Sequence, residues 1–413
     1  MLKTEIFSIL DIGTHQTKCL IAKLVADNAL EIIGIGNAES EGIRAGIVTD
    51  IRQAEKSITK AVQDAEAMSG ITIDDVAVSI SGSKVRSHIV SIEENIKGRE
   101  ITGRDIKKIL SEAMNSIDQN LYQVIHCIPI NFILDDESDI KDPRGMHGSV
   151  LKTDIHLITT TVTSLLNVSN CLAHCHLNIT DYIVTSYAAG IACLSDDEKD
   201  LGSSIIDIGA GHISIGVFKN GDIINTGSIP FGGNNLTKDI AWALSLDINE
   251  AEKIKIQYGN AVFNEQDRQQ HLDKQIELDS KKNGKDIEIS YQQLSDIIKP
   301  RLEEKIDSIT KMLNLAHIDK MSSGRIILTG GGSQLANLNN FIIDSHKNLQ
   351  VRIASPNMIT GLADSLHNPS YAVAVGMLDL LLEKHIETQT DKKTDNVNYL
   401  AKMTSWLRNS LNI

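Results

Sequence analysis

The strongest constraint on this chain is a repeated unit. Ile6-Phe7-Ser8-Ile9-Leu10 is an apolar run that ends in Asp11-Ile12-Gly13-Thr14. Ser203-Ser204-Ile205-Ile206 is a second such run, ending in Asp207-Ile208-Gly209-Ala210-Gly211. Asp207 follows Asp11 by 196 positions. Each run is the length of a buried strand, and each glycine turns the chain at its end. Behind the first unit the patterning predicts strands at Thr17–Leu24 and Leu30–Gly36 and a helix over Asp50–Ala67, with Asp50 as its N-cap. A further strand is expected at Val76–Ile80. Behind the second unit it predicts strands at Ile213–Phe218 and Asp222–Ile229, then a helix from near Asn235 past Trp242. Two similar α/β lobes facing one another are the simplest architecture.

The 413 residues suffice for two to four domains or lobes at roughly 100–200 residues each. Hydrophobic residues make up 41%, enough for a sizeable core. The net charge of −14 repels phosphate backbones, so nucleic acid is not an expected partner. Lys3 and Glu5 interrupt any apolar signal region, and no run of about 18 apolar residues spans a bilayer. Five scattered cysteines do not make a disulfide framework. A soluble cytoplasmic chain with reduced thiols is expected.

Asp11-Ile12-Gly13-Thr14 sits where a strand meets a turn. Gly13 lets backbone N–H groups approach an anion closely, Thr14 adds a hydroxyl, and Lys18 lies in the returning strand. Asp11 cannot touch a phosphate directly, but it can hold hydrated Mg²⁺, which neutralises phosphates. Asp207, Gly209, Ala210, Gly211 and His212 repeat the arrangement, so two such turns on opposed lobes can clamp one phosphate chain. A third element is Ile326-Ile327-Leu328-Thr329-Gly330-Gly331-Gly332-Ser333, a strand ending in three glycines, with a helix expected at about Ser333–Phe341. Bare backbone beside a helix N-terminus suits a flat ring or a phosphate.

These three motifs, in this order and spacing, resemble the actin-like ATPase superfamily. Within it, the chain is similar to the bacterial cell-division FtsA family. Ser79-Ile80-Ser81-Gly82-Ser83 resembles the entry to that family's extra subdomain. His126-Cys127-Ile128-Pro129, the run Asp142 to Gly148, and Asp154-Ile155-His156-Leu157-Ile158-Thr159 resemble its body and exit. Ala251-Glu252-Lys253-Ile254-Lys255 with Tyr258-Gly259 resembles the nucleotide-side helix, and Tyr371 to Gly376 the helix after the adenosine loop.

The resemblance implies an α/β, actin-like two-lobed ATPase fold with an FtsA-type inserted subdomain and a C-terminal amphipathic helix. One lobe is expected at 1–82 plus 162–190, with the inserted subdomain at 83–161. The other is expected at 191–235 plus 300–385, with a small FtsZ-binding subdomain at 236–299, then a flexible linker at 386–397 and a membrane-targeting helix at 398–413. ATP with Mg²⁺ is expected between the lobes. The implied nucleotide residues are Asp11, Gly13, Thr14, His15, Gln16 and Lys18; Asp207, Gly209, Ala210, Gly211 and His212; Gly232 and Gly233; Glu252 and Lys255; and Gly330, Gly331, Gly332 and Ser333. Asp11 and Asp207 are the metal candidates. His15 and His212 can face the nucleotide or solvent; the sequence is compatible with both. The implied partners are the C-terminal tail of FtsZ, inner-membrane lipids, other copies of the chain and further divisome proteins. The implied place is the cytoplasmic side of the inner membrane at the division septum.

Several positions depart from the family pattern. Ala210, His212 and Ser214 stand where the second turn usually carries a small residue, Thr and Asp, and Gln16 stands where the first carries Lys. Ser186, in a helix expected at Asp181–Ala189, stands near where active relatives place a water-orienting Glu or Gln. Slow or absent ATP hydrolysis is therefore expected.

On a helical wheel Leu400, Met403, Trp406, Leu407, Leu411 and Ile413 fall within about 160° of one another, with Lys402 and Arg408 at the edges of the opposite face. From Glu387 to Asn396 there is no apolar residue. A basic, Trp-bearing amphipathic end on an acidic protein is the pattern of an in-plane membrane helix. Cys171, His174 and Cys175 could share a helix face, but structural zinc needs four ligands, and Ser164–Leu177 is expected to be a core-facing helix. A sugar kinase or phosphatase of the same fold, or another actin-like scaffold such as a type IV pilus assembly protein, are the alternatives.

Overall fold

The computed structural model describes residues 5–262, 275–282, 285–315, 324–346, 349–357, 360–361 and 366–393. Two central sheets carry the repeated unit. In the first, the strands run in the order Asn178–Val184, Asp75–Ile80, Ile6–Ile12, Gln16–Leu24, Leu30–Glu39 and Thr360–Gly361. In the second, the order is Asp222–Ile229, Ile213–Lys219, Ser203–Ile208, Arg325–Thr329 and Gln350–Ile353. Ile6–Ile12 pairs antiparallel with the strand after it and parallel with Asp75–Ile80. Ser203–Ile208 does the same with Ile213–Lys219 and Arg325–Thr329. The equivalence holds residue by residue: Asp11 is opposite Lys18, and Asp207 is opposite Ser214.

Helix Ile51–Ser69 covers the first sheet with Ala54, Ile58, Ala61, Val62 and Ala65. Asp50 caps it, its side chain accepting the N–H of Gln53 at 3.2 Å. The helix lies close because Gly36 has no side chain: a Cβ there would stand 1.7 Å from the carbonyl oxygen of Ala61. Helix Thr185–Cys193 and the long helix Ala372–Lys393 pack together in the core shared by the two sheets.

Between Asp75–Ile80 and Asn178–Val184 the chain builds a third sheet, in the order Arg86–Asn95, Val150–Thr161, Tyr122–Leu134 and Glu137–Ile140. Helix Gly103–Asn115 packs Ile106, Ile109, Leu110, Ala113 and Met114 onto it, giving this subdomain a core of its own. On the second lobe, helices Gly233–Leu244 and Ile248–Tyr258 and the hairpin of Gln275–Lys282 with Lys285–Ser290 join helix Tyr291–Leu315 in another core.

Three local expectations are corrected. Residues 181–184, expected to open a helix, finish the strand Asn178–Val184, because Ile179 to Val184 pair parallel with Asp75–Ile80; the helix starts at Thr185. No helix opens at Ser333. Gly331–Gln334 is a single 3₁₀ turn, Asn337 takes a left-handed φ of 59°, and the helix is Leu338–Ser345. The polar stretch expected as a linker from residue 386 is helical as far as Lys393. Residues 398–413, with Leu400, Lys402, Met403, Trp406, Leu407, Arg408 and Leu411, lie outside the described residues. Among the described residues no helix is long and apolar enough to cross a membrane.

Candidate functional site

The two Asp-Ile-Gly turns form the same local structure. The N–H of Gly13 donates to the carbonyl of Gln16 at 3.1 Å, and the N–H of Gly209 donates to the carbonyl of His212 at 3.0 Å. The lobes bring these turns together, and the third glycine turn joins them. Thr14 Oγ1 accepts the N–H of Gly46 at 3.1 Å, and Gly211 lies against Thr14 so closely that a Cβ would come within 2.6 Å of Thr14 Oγ1. Gly330 takes a φ of +81°, and a Cβ there would stand 2.2 Å from Asp207 Oδ1. Only glycine meets both demands at that position.

Between the turns lies a cavity of about 460 Å³. Of the expected residues, Asp11, Gly13, Thr14, His15, Gln16, Lys18, Asp207, Gly209, Ala210, His212, Gly233, Glu252, Lys255, Gly330, Gly331 and Gly332 line it. Gly211, Gly232 and Ser333 do not. Gly211 is pressed onto Thr14, and Gly232 sits beneath Ala210, where a Cβ would meet its carbonyl at 2.4 Å. Ser333 is buried and donates its hydroxyl back to the carbonyl of Gly330 at 2.7 Å.

The electrostatics centre on three buried groups. Asp11 and Asp207 are both buried at the strand ends. Burial pushes the Asp11 carboxyl up, against the pull of Lys18 and a hydrogen bond from Ser79. Burial, then the charge of Asp11, raises Asp207 to about 7, with Lys18 opposing. Lys18 itself donates to the carbonyl of Ser370 and sits 4.8 Å from the centre of the Tyr371 ring. Glu252 and Lys255 form an ion pair at 2.7 Å, one helical turn apart. Lys255 also donates to Thr237 Oγ1 at 2.9 Å, and Thr237 donates to Glu252. Burial lifts the Glu252 carboxyl, but the hydrogen bonds from Lys255 and Thr237 outweigh it and hold the group below its usual range.

These residues fit a cation and a phosphate chain. Two carboxylates kept toward the protonated form by burial and proximity are a hard-oxygen donor set that a divalent ion would return to the charged form. The three glycine turns leave bare backbone at the wall. The buried Nδ1 of His212 has no hydrogen-bond partner, as a site awaiting a polar ligand would show.

Ser186 is turned away from the cavity: its hydroxyl meets Thr226 Oγ1 at 2.5 Å, and its neighbour Thr185 lines the wall instead. Thr185, Asn234, Leu236, Ile256, Leu335 and Ser370 are among the further residues that line the cavity. Ser370 carried a readable signal: it follows Asn368-Pro369, and Asn368 Oδ1 accepts its N–H at 2.9 Å in a tight turn.

Comparison with known proteins agrees with this architecture. A family model described as cell division protein FtsA matches residues 204–376, and one described as the SHS2 domain inserted in FtsA matches residues 82–159. Cell division protein FtsA of Neisseria meningitidis serogroup B is 32% identical over 98% of this chain and 98% of its own. Those of Bacillus subtilis and Agrobacterium fabrum are 33% and 31% identical, over 92% and 91% of this chain and 84% and 87% of theirs. Among solved structures, a chain of the PilM–PilN type IV pilus biogenesis complex superposes with a TM-score of 0.65 at 16% identity, covering 90% of this chain and 96% of that one. MreB5 of Spiroplasma citri bound to AMPPNP gives 0.53 at 14% identity, covering 94% and 99%. These two likenesses show the fold: actin-like, with two lobes.

Proposed function

Since the chain belongs to the FtsA family of cell division proteins, we propose that it binds ATP with Mg²⁺ in the cleft, assembles into protofilaments and tethers FtsZ to the inner face of the cytoplasmic membrane. There, at the septum, it recruits other divisome proteins. The observation that carries the nucleotide part is the cavity itself, walled by two equivalent Asp-Ile-Gly turns and a triple-glycine turn. Asp11 and Asp207 hold the hydrated Mg²⁺, whose chemistry is to neutralise phosphate charge. Lys18 and the glycine turns face the phosphates, and Glu252 and Lys255 the ribose and base. That MreB5, a chain of the same fold, binds AMPPNP supports this.

The small subdomain at 236–299 receives the C-terminal tail of FtsZ. Trp242, 86% exposed, and Ile248, 45% exposed, offer apolar contact surface on its helices. The basic, Trp-bearing segment 398–413 attaches the chain to the membrane surface. One short segment with only Lys402 and Arg408 as its basic residues binds lipid weakly, so self-assembly supplies the avidity.

Turnover is slow. The place expected to orient water carries Ser186, whose hydroxyl is engaged with Thr226. Steady-state phosphate release stays below about one per second; faster release contradicts slow turnover. Calorimetric titration of the intact chain with ATP and Mg²⁺ tests the cleft. Saturable binding of one nucleotide per chain is expected, lost in Gly330→Val, which fills the cradle. Absence of saturation in the unmodified chain contradicts the assignment.

A further inference from the structure

One hydroxyl joins the two helices of the second lobe that border the cleft. Thr237 lies on helix Gly233–Leu244, is 3% exposed and does not line the cavity. Its Oγ1 accepts from Lys255 Nζ at 2.9 Å and donates to Glu252 Oε2. The carbonyl of Gly233 also lies 3.1 Å from Oγ1, but the single hydroxyl hydrogen goes to the charged acceptor. Lys255 Nζ donates as well to Glu252 Oε2 at 2.7 Å and to the carbonyl of Gly233 at 3.3 Å. An ammonium has three hydrogens, and these bonds use all of them. Lys255 therefore acts on a ligand by holding Glu252. The bonds on Glu252 end on Oε2, so Oε1 keeps its lone pairs for the cavity that Glu252 lines. An ionised carboxylate accepts hydrogen bonds, donates none and repels phosphate. Oε1 thus suits a hydroxyl.

Its place along the cleft says which one. The N–H of Gly233 donates to the carbonyl of Gly209 at 3.0 Å, so the group formed by Thr237, Glu252 and Lys255 adjoins the second Asp-Ile-Gly turn, at the phosphate end. Ile256 comes one helical turn after Glu252, and Leu335 lies against Gly259 at the far end of the same helix. Both line the cavity and give it an apolar wall, fit for a base. Between phosphates and base a nucleotide carries its sugar. Resting on the reading that the cleft takes ATP, we propose that Thr237 is a positioning residue for sugar recognition: it fixes Glu252 so that Oε1 accepts a ribose hydroxyl, and the cleft selects ribonucleotides over their deoxy counterparts. An analogue without that hydroxyl leaves a partly buried carboxylate oxygen unpaired.

The test measures binding of ATP, 2′-deoxy-ATP and 3′-deoxy-ATP, each with Mg²⁺, to the intact chain and to Thr237→Val, Thr237→Ser and Lys255→Met. One of the deoxy analogues is expected to bind the unmodified chain about tenfold more weakly than ATP, the scale of one hydrogen bond to a charged group. Thr237→Val keeps the shape of the side chain without its hydroxyl. It is expected to bring ATP within about twofold of that analogue by weakening ATP alone. Thr237→Ser is expected to restore the preference. Lys255→Met removes the other donor to Oε2 and is expected to lose the preference too, which decides the matter should Thr237→Val fail to fold. Equal binding of all three nucleotides by the unmodified chain, equal losses of ATP and both analogues in Thr237→Val, or a preference kept in full by Lys255→Met overturns the inference and leaves the ATP reading intact. If the unmodified chain binds none of the three, the ATP reading itself falls, and the inference with it.

Discussion

Asp11 and Asp207 end equivalent strands of the two lobes and are coupled across the cleft: the charge of Asp11 is second only to burial in raising Asp207 to about 7. Lys18, opposite Asp11 in the strand pairing, opposes the shift at both carboxyls. Two acids and one base leave the buried site short of positive charge, which a divalent cation corrects. Asp11→Asn is therefore expected to weaken nucleotide binding in Mg²⁺ by tenfold or more and to change it little in excess chelator. Titrations with and without Mg²⁺ check this. Equal losses under both conditions would mean that Asp11 only shapes the turn.

Gly376 lets the long helix Ala372–Lys393 lie on helix Thr185–Cys193, where a Cβ would stand 1.9 Å from the carbonyl oxygen of Ala188. The obstacle is backbone, so it cannot rotate away. Gly376→Ala is expected to cost about 1–3 kcal/mol and lower the melting temperature by several degrees. A melting temperature equal to that of the unmodified chain would show that the two helices slide apart without cost.

Two histidines tie the inserted subdomain to the lobes. His156, fully buried, donates Nδ1–H to the carbonyl of Ile223 at 2.7 Å and accepts from Ser87 Oγ through Nε2 at 2.7 Å. His126 Nε2 accepts the N–H of Val184 at 3.1 Å. Burial, then the charge of His156, lowers His126 to about 3. Burial likewise lowers His156 to about 4, against the Ile223 carbonyl. An unfolded chain takes up these protons near pH 6.5 and the folded one does not. Stability is thus fully present above about 6.5 and is lost as pH falls toward 4 and then 3. His156→Gln keeps a donor and an acceptor. It is expected to remove roughly 3 kcal/mol of the loss between pH 7 and 4, measured by urea unfolding at each pH. Parallel pH profiles for the two chains would contradict this.

Much of the site was legible because its signals are local. An apolar run ending in Asp-Ile-Gly fixes a strand, a turn and a carboxylate within a few residues, and both copies folded where the pattern placed them. What pairing across the sheet decides was not legible. Ile183 and Val184 belong to a strand because Asp75–Ile80 lies beside them, and the helix then begins at Thr185, which turns Ser186 from the cleft to Thr226. The partners of Lys18, Ser370 and Tyr371, come from more than 350 positions away, and no periodicity near Lys18 announces them. The helix expected at Ser333 does not start there, because the Ser333 hydroxyl closes the turn on the carbonyl of Gly330.

We propose that this actin-like chain tethers FtsZ to the membrane. Liposome co-sedimentation with ATP, Mg²⁺ and FtsZ tests it most directly, comparing the intact chain, Trp406→Glu and a chain ending at Asn396, which keeps the whole of helix Ala372–Lys393. The intact chain is expected to pellet with liposomes and carry FtsZ with it, while the other two stay in the supernatant. Equal pelleting of all three, or none by the intact chain, would contradict it.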